Sequence, residues 1–208
     1  MEDLERFSAA IETVERYEEY LYQRALGLAL IVNGLFGPTV FLLVLKADTL
    51  SALIGVTPAA FRVASTTLLA GVGILVNITL FASARVLSTR VSKKEDRRDV
   101  PFMMLMFSIW FTAFFLAGYI PEPYSGAGWS LAGGAASLVS YLTISVAGHH
   151  RRHELLVIGL INVLASLPVL LYGDIVEVEV AVLTVYALSF VCGGAYSTMT
   201  ANRYLEAA

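Results

Sequence analysis

All three histidines of the chain fall in one hexapeptide, HHRRHE, where His149 and His153 stand four apart and could share a helical face as a two-histidine metal site does. Arg151 and Arg152 intervene, and Glu154 is the lone further donor nearby. The segment therefore reads as a cationic loop that fixes topology, rather than as a metal or pH-sensing centre. Cys192 is the single cysteine, which rules out an intrachain disulfide and a multi-cysteine metal site. No metal and no cofactor is expected. Nor does any apolar stretch hold a polar pair suited to acid–base work, so a non-enzymatic role is expected as well.

What the apolar stretches hold instead is amides: Asn33, Asn77 and Asn162. As bonds between helices such groups are worth about 0.6 kcal/mol each and seldom above about 2. As the lining of a path they would offer a small neutral solute both donors and acceptors without charge. Pro38 and Pro168 follow two of these amides by five and six residues and free backbone carbonyls, which marks them as helix kinks. Broken helices also form binding sites in transporters. Small residues recur every fourth position at Gly128, Ala132, Ala136 and Ser140, and again at Ser189, Gly193, Ser197 and Ala201. Such stripes let backbones approach closely and read as packing seams, within one bundle or between subunits.

The elements that must position these groups are written in the hydropathy. Hydrophobic residues make up 57% of the 208 and charged residues only 15%, well below the roughly 25% charge of soluble domains, so the chain is read as membrane-embedded. Six apolar stretches lie at about 25–45, 61–87, 102–120, 128–148, 155–173 and 180–201. Each is long enough to cross a hydrocarbon core of about 30 Å as a helix, and they lack the alternation of barrel strands. The expected fold is all-α, a polytopic bundle of six transmembrane helices. Apart from Arg62 and Arg85 near the two ends of the second, none carries Asp, Glu, Lys, Arg or His, which disfavours proton relays, voltage sensing, ion-coupled carriage and a retinal Schiff base. Phe102, Phe107, Trp110, Phe111, Phe114 and Phe115 encircle the third stretch, which reads as facing lipid.

Of the 14 Lys and Arg, all but Lys46 and Arg62 fall on one side of this arrangement. Under the positive-inside rule both termini are then cytoplasmic. The outer connections 121–127 and 174–179 carry no Lys or Arg, and Tyr119, Tyr124, Trp129 and Tyr172 stand near that boundary, where amphipathic rings rest. Residues 1–24 form a separate unit ahead of the membrane domain 25–208. Leu4, Phe7, Ile11, Val14 and Leu21 recur at helical steps, which predicts an amphipathic helix. Its seven acids against three Arg repel anionic lipid, so it is expected to dock on a cytoplasmic protein. The basic segment 85–100 lies on the same side and invites contact with that acidic helix. A formal charge of -3 excludes a nucleic-acid partner. Without the pattern of a secretory signal the N-terminus is expected to be retained. Sparse Gln and Asn resemble thermophile composition, and with it a prokaryotic cell membrane.

Two short segments resemble known motifs. EEYLYQR, residues 18–24, resembles the EExxxR of membrane-embedded CAAX-type proteases, but is one residue longer and has no FxxxH counterpart. VNG at residues 32–34 is similar to part of the first span of acid-activated urea channels, whose later motifs are missing. Neither assigns a family. Two functions are expected from the residues themselves: passage of a small neutral solute bordered by Asn33, Asn77 and Asn162, as a facilitator or permease-like subunit, or a non-catalytic scaffold that binds partner proteins. The lipid bilayer is the constant partner, with further copies of the chain or other membrane subunits beside it.

Overall fold

A computed structural model describes residues 2–92, 99–117, 125–146, 152–172 and 176–206, and among them every regular element is a helix. In order these are α1 (Glu2–Leu45), α2 (Ala47–Ile54), α3 (Pro58–Ser92), α4 (Asp99–Ala117), α5 (Ser125–Val146), α6 (His153–Tyr172), α7 (Val176–Ala201) and α8 (Arg203–Glu206). Among the described residues three helical segments, Pro58–Leu87, Ala127–Val146 and Val180–Leu205, are long and apolar enough to cross a membrane. Shorter apolar helices at Met104–Ala117 and His153–Val169 accompany them.

The expected boundary between an N-terminal helix and a first span does not interrupt α1, which continues through Arg24 and Ala25. The reason is local. No proline precedes Pro38, and Gly27, the first glycine, lies against α7 instead of turning the chain. A short helix not expected from the sequence, α2, fills the following connection. It ends at Gly55, whose φ of 73° is the left-handed geometry that closes a helix C-terminus, with the Val56 amide bonded to the Ser51 carbonyl at 3.1 Å. Thr57 then caps α3 by accepting from the Ala60 amide at 3.3 Å, and Pro58 takes the first helical position, where its missing N–H costs nothing.

Four helices make the core. The α1–α7 and α5–α6 pairs pack side by side, and α7 also touches α5 and α6. Leu30, Ile144, Leu155, Ile158, Tyr186 and Phe190 from all four meet in the middle. The α1–α7 contact is a close approach of backbones: a Cβ on Gly27 would lie 2.6 Å from the Gly194 carbonyl oxygen, and one on Gly34 would lie 2.7 Å from Phe190 Cβ. The ring of Tyr186 fits between Gly37 of α1 and Gly133 of α5, each leaving room where any side chain would collide.

On the flanks, α3 packs against α1 and α2, and α4 against α5. Only 6% of the apolar span of α3 is buried, and Leu68, Leu75 and Ile78 project outward. On α4, Phe107, Phe111 and Phe115 are exposed, as the ring-lined third stretch was expected to be, while Trp110 and Phe114 turn inward against the core. Tyr20, Leu21 and Ala25 of α1 meet Ala84 of α3 and Ala201 of α7, so these three chain segments share one end of the bundle. Ala127, Val169 and Val182 close the other end.

Candidate functional site: a buried polar clamp and two amide contacts

The sequence-derived amides separate into two contacts. Asn162, fully enclosed on α6, uses both protons of its amide nitrogen: Nδ2 donates to the Ile158 carbonyl at 2.9 Å and to Ser189 Oγ of α7 at 2.7 Å. Its side-chain oxygen lies 3.1 Å from Ser130 Oγ of α5, so one residue joins three helices. Asn33 and Asn77 instead meet each other across α1 and α3, Asn77 Nδ2 donating to Asn33 Oδ1 at 3.2 Å and to the Gly73 carbonyl at 2.8 Å. Tyr186 Oη reaches the Asn33 backbone carbonyl at 3.4 Å.

Pro38 lies inside α1 and Pro168 inside α6, and both helices run on past them. Gly128, Ala132 and Ala136 are buried on α5, and Ser197 is buried on α7. Gly193 faces Ile158, where a Cβ would lie 2.5 Å from its Cδ1, and Ser189 holds Asn162. The stripes understate the seam, however. Gly27 and Gly34, seven residues apart on one face of α1, and Gly194 permit the closest backbone approach, and the seven-residue glycine spacing was the available signal.

A third polar group, not expected from the sequence, is the most developed one. Near the end of the bundle where α6 begins, Gln23 of α1 sits between two ionised residues of the α6 start. Its Oε1 accepts from Arg152 Nη1, and its Nε2 donates to Glu154 Oε1 at 2.9 Å and to Ser197 Oγ of α7 at 2.9 Å. Ser197 Oγ also lies 3.1 Å from Glu154 Oε1, so its single proton can be given to the carboxylate. Arg152 sends its second nitrogen, Nη2, to Glu19 Oε2 at 2.7 Å. Arg152 and Glu154 are each only 8% exposed and Gln23 5%. Ionised groups are tolerated at such burial because each is paired or hydrogen-bonded. Glu154 gains further from its place in the first turn of α6, where the helix dipole favours an anion.

In the sequence Arg152 and Glu154 read as parts of a cationic connection and Gln23 as the end of an amphipathic helix. Their convergence joins residues 129 and 131 apart in sequence, which local spacing does not register. The one usable signal was that Gln23 is the sole glutamine of an otherwise amide-poor chain. His153 is exposed and lies beside the Tyr141 ring, with 6.1 Å between ring centroids. His149 lies outside the described residues, as does the basic part, 93–98, of the segment expected to meet the acidic helix. Among the described residues no group of three His, Cys, Asp or Glu could hold a metal ion.

Among the described residues Ser145 Oγ is the buried side-chain polar atom left without a partner. No family model, no curated protein and no solved structure matches the chain.

Proposed function

We propose that the chain is a six-span, non-catalytic membrane subunit that holds other proteins, with both termini on the cytoplasmic side of a prokaryotic cell membrane. The six spans are residues 25–45 of α1 together with α3, α4, α5, α6 and α7, and α2 lies in the outer connection. The observation that carries the reading is the Gln23 clamp. It ties α1 to the start of α6 and the end of α7 with buried hydrogen bonds, two of them to charged groups, a construction that makes an end of the bundle rigid. Asn162, whose amide protons are both given to neighbours within the protein, supports the same reading. Residues 1–24 extend α1 as an acidic arm. Ile11 is exposed on it beside Glu12 and Glu15, a surface suited to a cytoplasmic protein with a basic, partly apolar face.

The competing reading, passage of a small neutral solute past Asn33, Asn77 and Asn162, draws on the Asn33–Asn77 pair, because Asn162 is engaged elsewhere. Reconstituted vesicles distinguish the two. A scaffold leaves urea and glycerol permeability at the rate of protein-free vesicles. Acceleration by the protein that Asn33→Leu abolishes would replace this proposal with the solute path. The span count is tested by placing single cysteines at Ala10 and Ala208 in a Cys192→Ser background. Both are expected to react with an impermeant maleimide only after the inner face is opened, and labelling of one from each side would exclude an even number of spans.

A further inference from the structure

Asn33 and Asn77 meet through only two of their four side-chain polar atoms. Because the atom facing the Gly73 carbonyl must be a donor, Asn77 presents its nitrogen inward, and the two protons of that nitrogen are taken by Gly73 and by Asn33 Oδ1. This fixes both amides. Asn33 Nδ2 then retains two protons, and Asn77 Oδ1 retains its lone pairs, with no protein partner for either among the described residues. Neither atom is sealed inside, since Ser145 Oγ is the enclosed side-chain atom without a partner, and both asparagines are half-buried. A free donor and a free acceptor thus stand side by side at the open edge of the α1–α3 seam.

In a bilayer this edge faces hydrocarbon, which satisfies neither group. We propose that it is the contact between two copies of the chain related by a two-fold axis, with Asn33 Nδ2 of each copy donating to the partner's Asn77. A surface that carries one donor and one acceptor is self-complementary: a two-fold rotation places each opposite its counterpart and makes two reciprocal bonds from one patch. A single hydroxyl from lipid answers the pair less completely, and no charge beside it calls for an ionic partner. Ile78, next to Asn77 on α3 and 50% exposed, supplies apolar contact that a second helix covers. The inference rests on the membrane placement proposed above, but not on the absence of a solute path.

The test uses the full chain with Cys192→Ser, reconstituted in lipid vesicles over a range of protein-to-lipid ratios. Ile78→Cys is expected to form a disulfide-linked dimer under mild oxidation, and single-molecule photobleaching of labelled protein to give two steps. Replacing both amides, Asn33→Leu with Asn77→Leu, removes both reciprocal bonds and should weaken dimerisation about 3- to 30-fold. Asn162→Leu disturbs the fold without touching the edge, and should leave the dimerisation constant unchanged while lowering thermal stability. One-step bleaching at every ratio would overturn the proposal, as would a dimerisation constant indifferent to the double replacement. Impermeable vesicles that hold only monomers would sink the dimer and leave the scaffold standing; permeable vesicles that hold dimers would do the reverse.

Discussion

At the scale of single residues, two kinds of polar contact hold the bundle, and their magnitudes differ. Amide bonds between membrane helices average about 0.6 kcal/mol because the separated helices also find partners. Removing one member of a buried ion pair costs about 3–5 kcal/mol, since the other charge is left enclosed and unanswered. Glu154→Ala removes the carboxylate to which Gln23 Nε2 and Ser197 Oγ donate, while Arg152 keeps Glu19. Its expected cost is therefore that of hydrogen bonds to a charged group, about 1.5–3 kcal/mol, read as a lower denaturation midpoint in detergent. Asn162→Ala should cost at most about 2 kcal/mol. A larger loss at Asn162 than at Glu154 would mean that the clamp is not the principal fastening. Because Arg152 and Glu154 are shielded from solvent, raising the salt concentration should change the stability of the native chain little. The exposed Glu12–Arg16 pair is of the kind that salt screens and contributes little in either case.

At the scale of elements, glycine position decides how closely helices lie. Gly194→Ala places a methyl group against the Ile31 side chain and backbone of α1 and should cost about 1–3 kcal/mol by overpacking. On α3 nothing lies within 4 Å of the Cβ that Gly71→Ala would add, so that change should be neutral or stabilise by up to about 1 kcal/mol through helix propensity. Thermal unfolding of the two variants in the same detergent checks both signs. The stretches that form α3 to α7 were legible in the sequence because continuous apolar runs leave a chain in hydrocarbon no other way to satisfy its backbone. That small residues line seams was legible too. Which seam is tightest was not, because Gly27 and Gly194 come from opposite ends of the chain and only the assembled bundle sets them face to face. The uninterrupted α1 and the short α2 were missed for a different reason: the change from polar to apolar sequence at residue 24 marks a change of surroundings, not of backbone conformation.

At the scale of the whole molecule, the end of the bundle where α1 meets α3 and α7 depends on residues 17–25 of α1, which carry Tyr17, Tyr20, Leu21, Gln23 and Ala25 into its contacts. Deleting residues 1–10 is expected to leave the unfolding midpoint close to that of the full chain. Deleting 1–24 removes Glu19 and Gln23 together and should prevent recovery of a folded monodisperse protein, as judged by size-exclusion chromatography in detergent. A short deletion as damaging as the long one would show that the arm serves the fold rather than a partner. The clamp itself was not legible in the sequence, since its members sit at the polar edges of three separate stretches and each has an ordinary local explanation.

The continuity of α1 carries a mechanical consequence. Its 44 residues make a rod about 66 Å long, roughly twice the thickness of a hydrocarbon core. Gly27 and Gly34 are buried against α7, so the segment between Gln23 and Gly34 has no free glycine at which to hinge. A twist applied to the Glu2 end of the rod would therefore pass the Gln23 clamp and reach the Asn33–Asn77 contact, coupling one end of α1 to the middle of the bundle.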